Sequence, residues 1–482
     1  MAILSIDQGT TGTTVILVGS EGQILAKTYH EFQQFYPQPG WVEHDPDEIW
    51  DTVVECVGEI CSTQSEVIEA IGITNQRETT VIWDAKTGKP VYNAIVWQCR
   101  RTASICETLE PQRQLIKEKT GLPLDAYFSG TKAQWILNHA SIKPSQKLKF
   151  GTIDTWLIWK LTGGGVHASD YSNASRTMLY NIHDKCWDAE LCELLGIPLD
   201  ILPEVKNSSD NYGKVTTLSE LKGIPIRGVA GDQQASLFGQ QCFLKGETKN
   251  TYGTGCFIMM NTGSEAIQSE FGLITTLAAD PEGKPCFALE GAIFIAGAAV
   301  QWLRDELGLI ATAAESEAAA LSVSDNDGVY LVPAFTGLGA PHWDMAARGL
   351  LTGLTRGSNK NHIIRASLEA MAYQTYDVIQ TMEKETNTKI TSLAVDGGAT
   401  ENNFLMQFQA DILQIEVQRA HYIETTALGV AYLAGLGVGL WDKHRLKSFA
   451  SQKTIFKPKM NKNNRESLII GWNNAIKQAV SK

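Results

Sequence analysis

Residues 3–6 form a short apolar run, residues 15–18 form a second, and apolar character resumes over 23–32. Two turn-rich interruptions separate them, Gln8-Gly-Thr-Thr-Gly-Thr-Thr14 and Gly19-Ser-Glu-Gly22. Short apolar runs bounded by such turns predict a three-stranded meander with tight connections. The period then changes. Ile49, Trp50, Val53, Val57 and Ile60 recur at helical spacing and predict a helix over 46–61. Asp45 is placed to cap it, and Pro46 suits the first helical position, where no backbone donor is needed. Residues 68–73 predict the next strand. Strands followed by helices point to an α/β architecture.

The second half repeats part of this scheme. Residues 249–254 lead into a Gly-Thr-Gly turn, and residues 256–260 predict the partner strand, closed by Asn261-Thr-Gly263. Residues 393–395 predict a strand that runs into Asp396-Gly-Gly398, with a helix following through Asn403, Leu405, Phe408 and Ile412. Ile364, Leu368, Met371, Thr375, Val378 and Met382 form one stripe of a helix over 361–383, for which Asn361 is the expected cap. Two Gly-Thr turns between strands, at Gly9 and Gly253, therefore mark corresponding parts of two similar halves. The boundary is expected near 238–248, where Gly239, Lys245 and Gly246 sit between apolar segments. That divides the chain into 1–242 and 243–482.

A length of 482 residues allows two large domains or about three ordinary ones. Lys and Arg number 41 against 53 Asp and Glu, a net charge of -12, which argues against nucleic acid or an anionic membrane as the main partner. It does not exclude an anionic ligand, because a few local donors override a global field. The nine cysteines are odd in number and contain no C-x-x-C, so neither a disulfide framework nor a zinc knuckle is expected. Residues 428–441, the longest uncharged apolar stretch, are too few to span a bilayer, and the N-terminus lacks the basic start of a signal peptide. The expectation is a reduced, cytoplasmic protein without membrane insertion.

Several polar stretches interrupt the apolar pattern where chemistry is possible. In Asp7-Gln-Gly-Thr-Thr-Gly-Thr-Thr14 a strand ends in a carboxylate and turns through glycines and hydroxyls. Backbone N–H groups and Thr hydroxyls in such a turn can hold phosphate oxygens, and the carboxylate can hold Mg2+ directly or through water. A plain hairpin turn explains the same residues. Tyr252-Gly-Thr-Gly-Cys-Phe257 is a second such turn, and the pair suggests a grip on one polyphosphate. In Val395-Asp-Gly-Gly-Ala-Thr-Glu-Asn-Asn403 and in the Gly/Ala-rich residues 291–299, missing side chains permit close approach of a flat ring or of another helix. Thr74-Asn-Gln-Arg-Glu-Thr79 places Arg77 and Glu78 at a strand end, as hydroxyl ligands or as a surface ion pair. Asp232, in Ala230-Gly-Asp-Gln-Gln234, is a general base or a helix cap. Gly435-Leu-Gly-Val-Gly439 lacks the spacing of a dinucleotide fingerprint and is assigned to packing.

Taken in order, these stretches resemble the glycerol-phosphorylating branch of the FGGY sugar-kinase family, within the actin/hexokinase/heat-shock-70 ATPase superfamily. The resemblance runs over essentially the whole chain. It is strengthened by Pro39-Gly-Trp-Val-Glu-His-Asp-Pro46, Ala94-Ile-Val-Trp-Gln-Cys-Arg-Arg-Thr102, Tyr127-Phe-Ser-Gly-Thr-Lys132 and Pro333-Ala-Phe-Thr-Gly-Leu-Gly-Ala-Pro341. It implies two ribonuclease H-like (actin-like ATPase) α/β domains with the active site in the cleft between them. It implies ATP and Mg2+ as cofactors, glycerol as the substrate, and a homodimer or homotetramer. Arg77, Glu78, Tyr127, Asp232 and Gln233 would hold glycerol hydroxyls, with Trp97 and Phe257 along its carbons and Asp232 as the base. Asp7 would position Mg2+. Thr10, Thr11, Gly12 and Thr254 would contact phosphates, and Gly297, Gln301, Gly398 and Asn402 would surround the nucleoside. Two departures stand out. Thr14 replaces an Arg that reaches the nucleotide in some relatives. Residues 212–226 lack the Gly-rich basic loop with which some bacterial relatives bind fructose 1,6-bisphosphate. The competing readings are another polyol or pentulose kinase of the family, and an actin-like ATPase that binds protein partners.

Overall fold

In the computed structural model, which describes residues 1–449 and 453–480, the chain folds around two large sheets. Five positions of the expected second range, 450–452 and 481–482, lie outside the described residues. The first sheet has five strands in the order Ile226–Gly231, Ile68–Asn75, Ala2–Gln8, Gly12–Gly19, Ile24–Glu31. The last three form the antiparallel meander expected from the sequence, and the first three run parallel. In the seven-stranded second sheet, Pro285–Ile293, Cys256–Gly263, Thr248–Tyr252, Ser392–Asp396 and Glu416–Ala420 are neighbours in that order. Their junctions are antiparallel twice and then parallel twice. Read from its Ile24–Glu31 edge, the first sheet has the same succession. The two Gly-Thr turns join corresponding strands, so a repeated turn does mark a repeated sheet.

Strand Ala2–Gln8 is apolar at consecutive positions because both of its faces are covered. Leu4 and Ile6 pack with Val53 and Val57 of helix Pro46–Thr63. Ile3 points the other way, into a cluster with Ala427 and Val430 of helix Thr425–Gly437. Asp45 caps the former helix, its carboxylate accepting from Asp47 N at 2.9 Å. The latter helix comes from the second half of the sequence yet packs on the first sheet, which is why residues 428–434 are apolar all round. Among the described residues no helix is long and apolar enough to cross a membrane. Gly435 abuts the Trp441 ring and Gly437 abuts Arg227, the packing role expected of that glycine run. The long helix spans Lys360–Thr386, and its cap is Asn359, not Asn361. The Asn359 carboxamide accepts from Asn361 N at 2.9 Å, and His362 closes a capping box. The apolar stripe located the helix; the cap lies one turn-start earlier because Asn359 alone has extended backbone there.

Candidate active site

Three parallel strands of the first sheet end side by side, and each delivers a polar side chain at its carboxyl end. Asp7 pairs in register with Thr74, and Asn75 pairs with Gly231. Asp7, Arg77 with Glu78, and Asp232 therefore converge from three separate stretches of sequence. Carboxyl strand ends are where open α/β sheets bind ligands.

Arg77 and Glu78 are not a surface ion pair. Both are buried, and their own separation is 3.8 Å. Arg77 donates to Glu290 through both terminal nitrogens, at 2.6 and 3.2 Å, and to Gln234 Oε1 at 3.1 Å. Its Nε lies 3.0 Å from Asp232 Oδ1 as an ion pair without an aligned hydrogen bond. Glu78 accepts from Arg176 Nε at 2.6 Å, and Arg176 reaches Glu290 at 3.0 Å. Glu290 lies on strand Pro285–Ile293 of the second sheet, so one buried carboxylate ties the two halves together at this point. Lys249, also buried, donates to Gln233 Oε1 at 2.5 Å and to Thr251 Oγ1 at 2.8 Å. That bond fixes the Gln233 amide with its NH2 group free to donate elsewhere.

Burial sets the electrostatics. It works to raise the Glu290 carboxyl, but the guanidiniums of Arg176 and Arg77 overcome it and hold the group at about 2. Burial pushes Asp232 up from its ordinary value, with Arg77 opposing. Among the described residues Asp232 Oδ1 accepts from Gln233 N at 2.7 Å, while Oδ2 accepts nothing. A carboxylate with a free oxygen and raised proton affinity suits a general base. Burial and the neighbouring Asp232 charge push Asp7 up to about 7. Burial draws Lys249 down to about 8 against the pull of Asp396 and Glu290.

An aromatic wall stands beside these charges. The Trp97 ring lies edge-on to Tyr127 at 5.6 Å and to Phe257 at 6.5 Å. Trp97 Nε1 donates to Thr10 Oγ1 at 2.9 Å, linking the wall to the first Gly-Thr turn. Gly9 N closes that turn on Gly12 O at 2.9 Å, and a side chain at Gly12 would strike His30 O. Thr11 is exposed at the tip. In the second turn Thr254 O accepts from Ala296 N and Ala298 N, and Gly297 N donates to Gly253 O at 3.0 Å. The turn is thereby docked on the start of helix Gly297–Asp305, where a Cβ at Gly297 would lie 2.6 Å from Gly253 O. Gln301 is exposed on that helix. A Cβ at Gly398 would meet open space, while Gly397 takes φ +89° against Tyr252. Of the adjacent glycines, Gly397 serves packing and Gly398 leaves room for a ligand. Asn402 caps helix Asn403–Leu413 through Leu405 N at 2.9 Å and reaches Ser316 Oγ at 3.2 Å. Gln301 and Asn402 join no hydrogen bond of the Arg77 network.

Residues 2–239 match the N-terminal domain of the FGGY family of carbohydrate kinases, and residues 248–438 match its C-terminal domain. The chain belongs to the FGGY family of carbohydrate kinases. It is 58% identical to a glycerol kinase of Desulfitobacterium hafniense, over 99% of each chain. It is 56% identical to glycerol kinase 2 of Thermotoga maritima, over 99% of this chain and 98% of that one. Its fold matches the crystal structure of Plasmodium falciparum glycerol kinase with ADP at a TM-score of 0.93 and 37% identity, covering 100% of this chain and 98% of that one. A xylulose kinase of Lactobacillus acidophilus, 24% identical, shares the fold at a TM-score of 0.89, covering 99% and 97% of the two chains.

Sequence reasoning missed Glu290, Arg176, Lys249 and Gln234, which complete the polar cluster of this family member. A signal was available for Glu290 alone, a lone charge inside an apolar strand, whereas Lys249 lies in the polar strand Thr248–Tyr252 before the second turn. Asp7 fits a divalent cation. Its half-buried carboxylate accepts no hydrogen bond among the described residues and faces the repulsive charge of Asp232. No cluster of three metal-ligating side chains occurs among the described residues. One carboxylate with phosphate oxygens and waters is the donor set Mg2+ prefers.

Proposed function

We propose that the protein transfers the γ-phosphoryl group of ATP to the terminal hydroxyl of glycerol, forming sn-glycerol 3-phosphate and ADP. The observation that carries this reading is the buried, charge-paired cluster of Arg77, Glu78, Arg176, Glu290 and Asp232 beside the Trp97–Tyr127–Phe257 wall. Glycerol offers three hydroxyls on three carbons, so recognition needs fixed donors and acceptors along one edge and apolar contact along the other. A site built to pair hydroxyls rejects analogues lacking one by about 10⁴-fold or more.

Arg77 and the Gln233 NH2 group donate to hydroxyl oxygens, Glu78 accepts from a hydroxyl, and Tyr127 holds a hydroxyl as well. Asp232 Oδ2 takes the proton of the terminal hydroxyl as its oxygen attacks the γ-phosphorus and ADP leaves. Thr10, Thr11, Gly12 and Thr254 hold the phosphates, and Gly297, Gln301, Gly398 and Asn402 surround the nucleoside. Asp7 would hold Mg2+, which would supply neutralisation of phosphate charge. The chain divides functionally at about 242/243, with helix Thr425–Gly437 returning to the first half. The nine free cysteines support a cytoplasmic setting.

A kinetic panel of glycerol, dihydroxyacetone, xylulose and ribulose tests the assignment. Glycerol is expected to have the highest kcat/KM; a markedly higher value for a pentulose would overturn it, and ATP turnover indifferent to all four would favour a protein-binding ATPase.

A further inference from the structure

Trp97 occupies two places at once. Its ring forms part of the aromatic wall, and its Nε1–H donates to Thr10 Oγ1 at 2.9 Å. Thr10 is fixed from its other side as well. Its backbone carbonyl accepts from Gln34 Nε2 at 3.0 Å, and Gln34 Oε1 accepts from His44 Nε2 at 2.6 Å. Burial holds His44 neutral, with its pKa drawn down to about 3. The main chain of Trp97 is anchored too: its backbone N–H donates to Thr79 Oγ1 at 3.2 Å, and Thr79 Oγ1 donates to Gln76 Oε1 at 2.9 Å. Gln76 Nε2 returns to the turn at Gly9 O and Gln8 Oε1, each at 3.0 Å. The loop of hydrogen bonds is closed.

A threonine hydroxyl has one proton and two lone pairs. An indole N–H only donates, so Thr10 Oγ1 must accept from Trp97. Its own proton is then left to point away, and among the described residues no protein acceptor takes it. The geometry points to Trp97 as a positioning residue for the nucleotide: it orients the Thr10 hydroxyl as a donor to a phosphate oxygen, from within the wall of the acceptor pocket. This rests on the reading of the Gly9 turn as the ATP phosphate site.

Isothermal titration of a non-hydrolysable ATP analogue with Mg2+, alongside steady-state kinetics, separates the possibilities in the full chain. Trp97→Phe keeps a ring and removes the donor. It is expected to weaken nucleotide binding by about fivefold, the worth of one hydrogen bond, with a smaller change in the KM for glycerol. Thr10→Val is expected to weaken nucleotide binding similarly, and the double variant to be no weaker than Thr10→Val alone. Unchanged nucleotide affinity in Trp97→Phe, or losses that add in the double variant, overturns the proposal and leaves the kinase reading intact. Thr10→Val without effect on the nucleotide overturns the proposal together with the assignment of the Thr10 hydroxyl to the phosphates. A second measurement does not depend on the Trp97 variant folding. In an indole N–H spectrum of the 12 tryptophans, Thr10→Val should shift one signal; a spectrum in which none moves overturns the proposal.

Discussion

Arg77, Arg176, Glu78 and Glu290 lie side by side with almost no access to solvent, two guanidiniums against two carboxylates. Removing one partner leaves a buried charge uncompensated, at a cost of about 3–5 kcal/mol. Glu290→Gln should lower stability in urea by about that amount, more than any exposed pair would. The pH dependence follows from the depressed carboxyl. Glu290 has its ordinary value of 4.5 unfolded and about 2 folded. Its contribution is therefore complete above about 4.5 and is lost as pH falls toward 2. The stability gap between wild type and Glu290→Gln should narrow through that window; a constant gap would mean the pair is not ionised as described. Asp232→Asn makes a contrasting prediction. Its side chain is 31% exposed, so unfolding should change little, while kcat should fall by about 10²–10⁴ as the proton acceptor is lost. Near-normal kcat would remove Asp232 as the base. Asp7 and Asp232 were legible in the sequence because each ends an apolar run, and Arg77 and Glu78 because they sit in a polar stretch that closes a strand. Glu290 and Arg176 were passed over: they act by holding Arg77 and Glu78, Glu290 from mid-strand and Arg176 from the turn after a short helix, and neither lies in a Gly-Thr turn.

At the level of elements, the site depends on two helices that cross closely. Helix Asp232–Gly239 carries the proposed base, and helix Thr425–Gly437 lies against it. A Cβ at Gly429 would come within 1.8 Å of Ala235 O, and one at Gly239 within 2.0 Å of Thr425 O. Those contacts are backbone and cannot yield as a side chain would. Gly429→Ala should therefore force the helices apart, lowering stability by about 1–3 kcal/mol and reducing kcat through displacement of Asp232. Calorimetry with parallel kinetics checks it, and a variant of unchanged Tm would show that the crossing has slack. Elements of this kind were largely readable from period alone: helix Pro46–Thr63, the meander and helix Asn403–Leu413 follow directly from it. Their partners were not readable. Pairing of Ile226–Gly231 with Ile68–Asn75, or packing of Thr425–Gly437 on the first sheet, joins residues far apart in sequence, and local pattern carries no such information. The cap of Lys360–Thr386 slipped because Asn359 and Asn361 are chemically alike, and only backbone conformation separates them.

Over the whole molecule, a net charge of -12 surrounds a site proposed to take a highly anionic nucleotide. The field at a distance is repulsive, so attraction has to be local and short in range. The two Gly-Thr turns contain no Lys or Arg. The buried cations beside them are already matched, Arg77 and Arg176 by Glu290 and Glu78, and Lys249 among Gln233, Thr251 and nearby carboxylates. Phosphate binding then rests on backbone N–H groups, Thr hydroxyls and Mg2+. Such contacts are made at hydrogen-bond distance, well inside the screening length of about 8–10 Å at ordinary ionic strength, whereas the repulsion from the acidic surface acts beyond it. Raising salt at fixed free Mg2+ should therefore leave ATP affinity flat or slightly improved, because it screens the repulsion and spares the attraction. Thr14→Arg provides the internal control. Thr14 is half-buried on strand Gly12–Gly19, opposite Asp7 in register, so a guanidinium there would stand beside the turn. It should tighten ATP at low salt and make the affinity fall as salt rises. A steep fall in the wild type, or no change in slope on introducing the arginine, would mean that long-range charge governs binding and that the turns do not hold the phosphates.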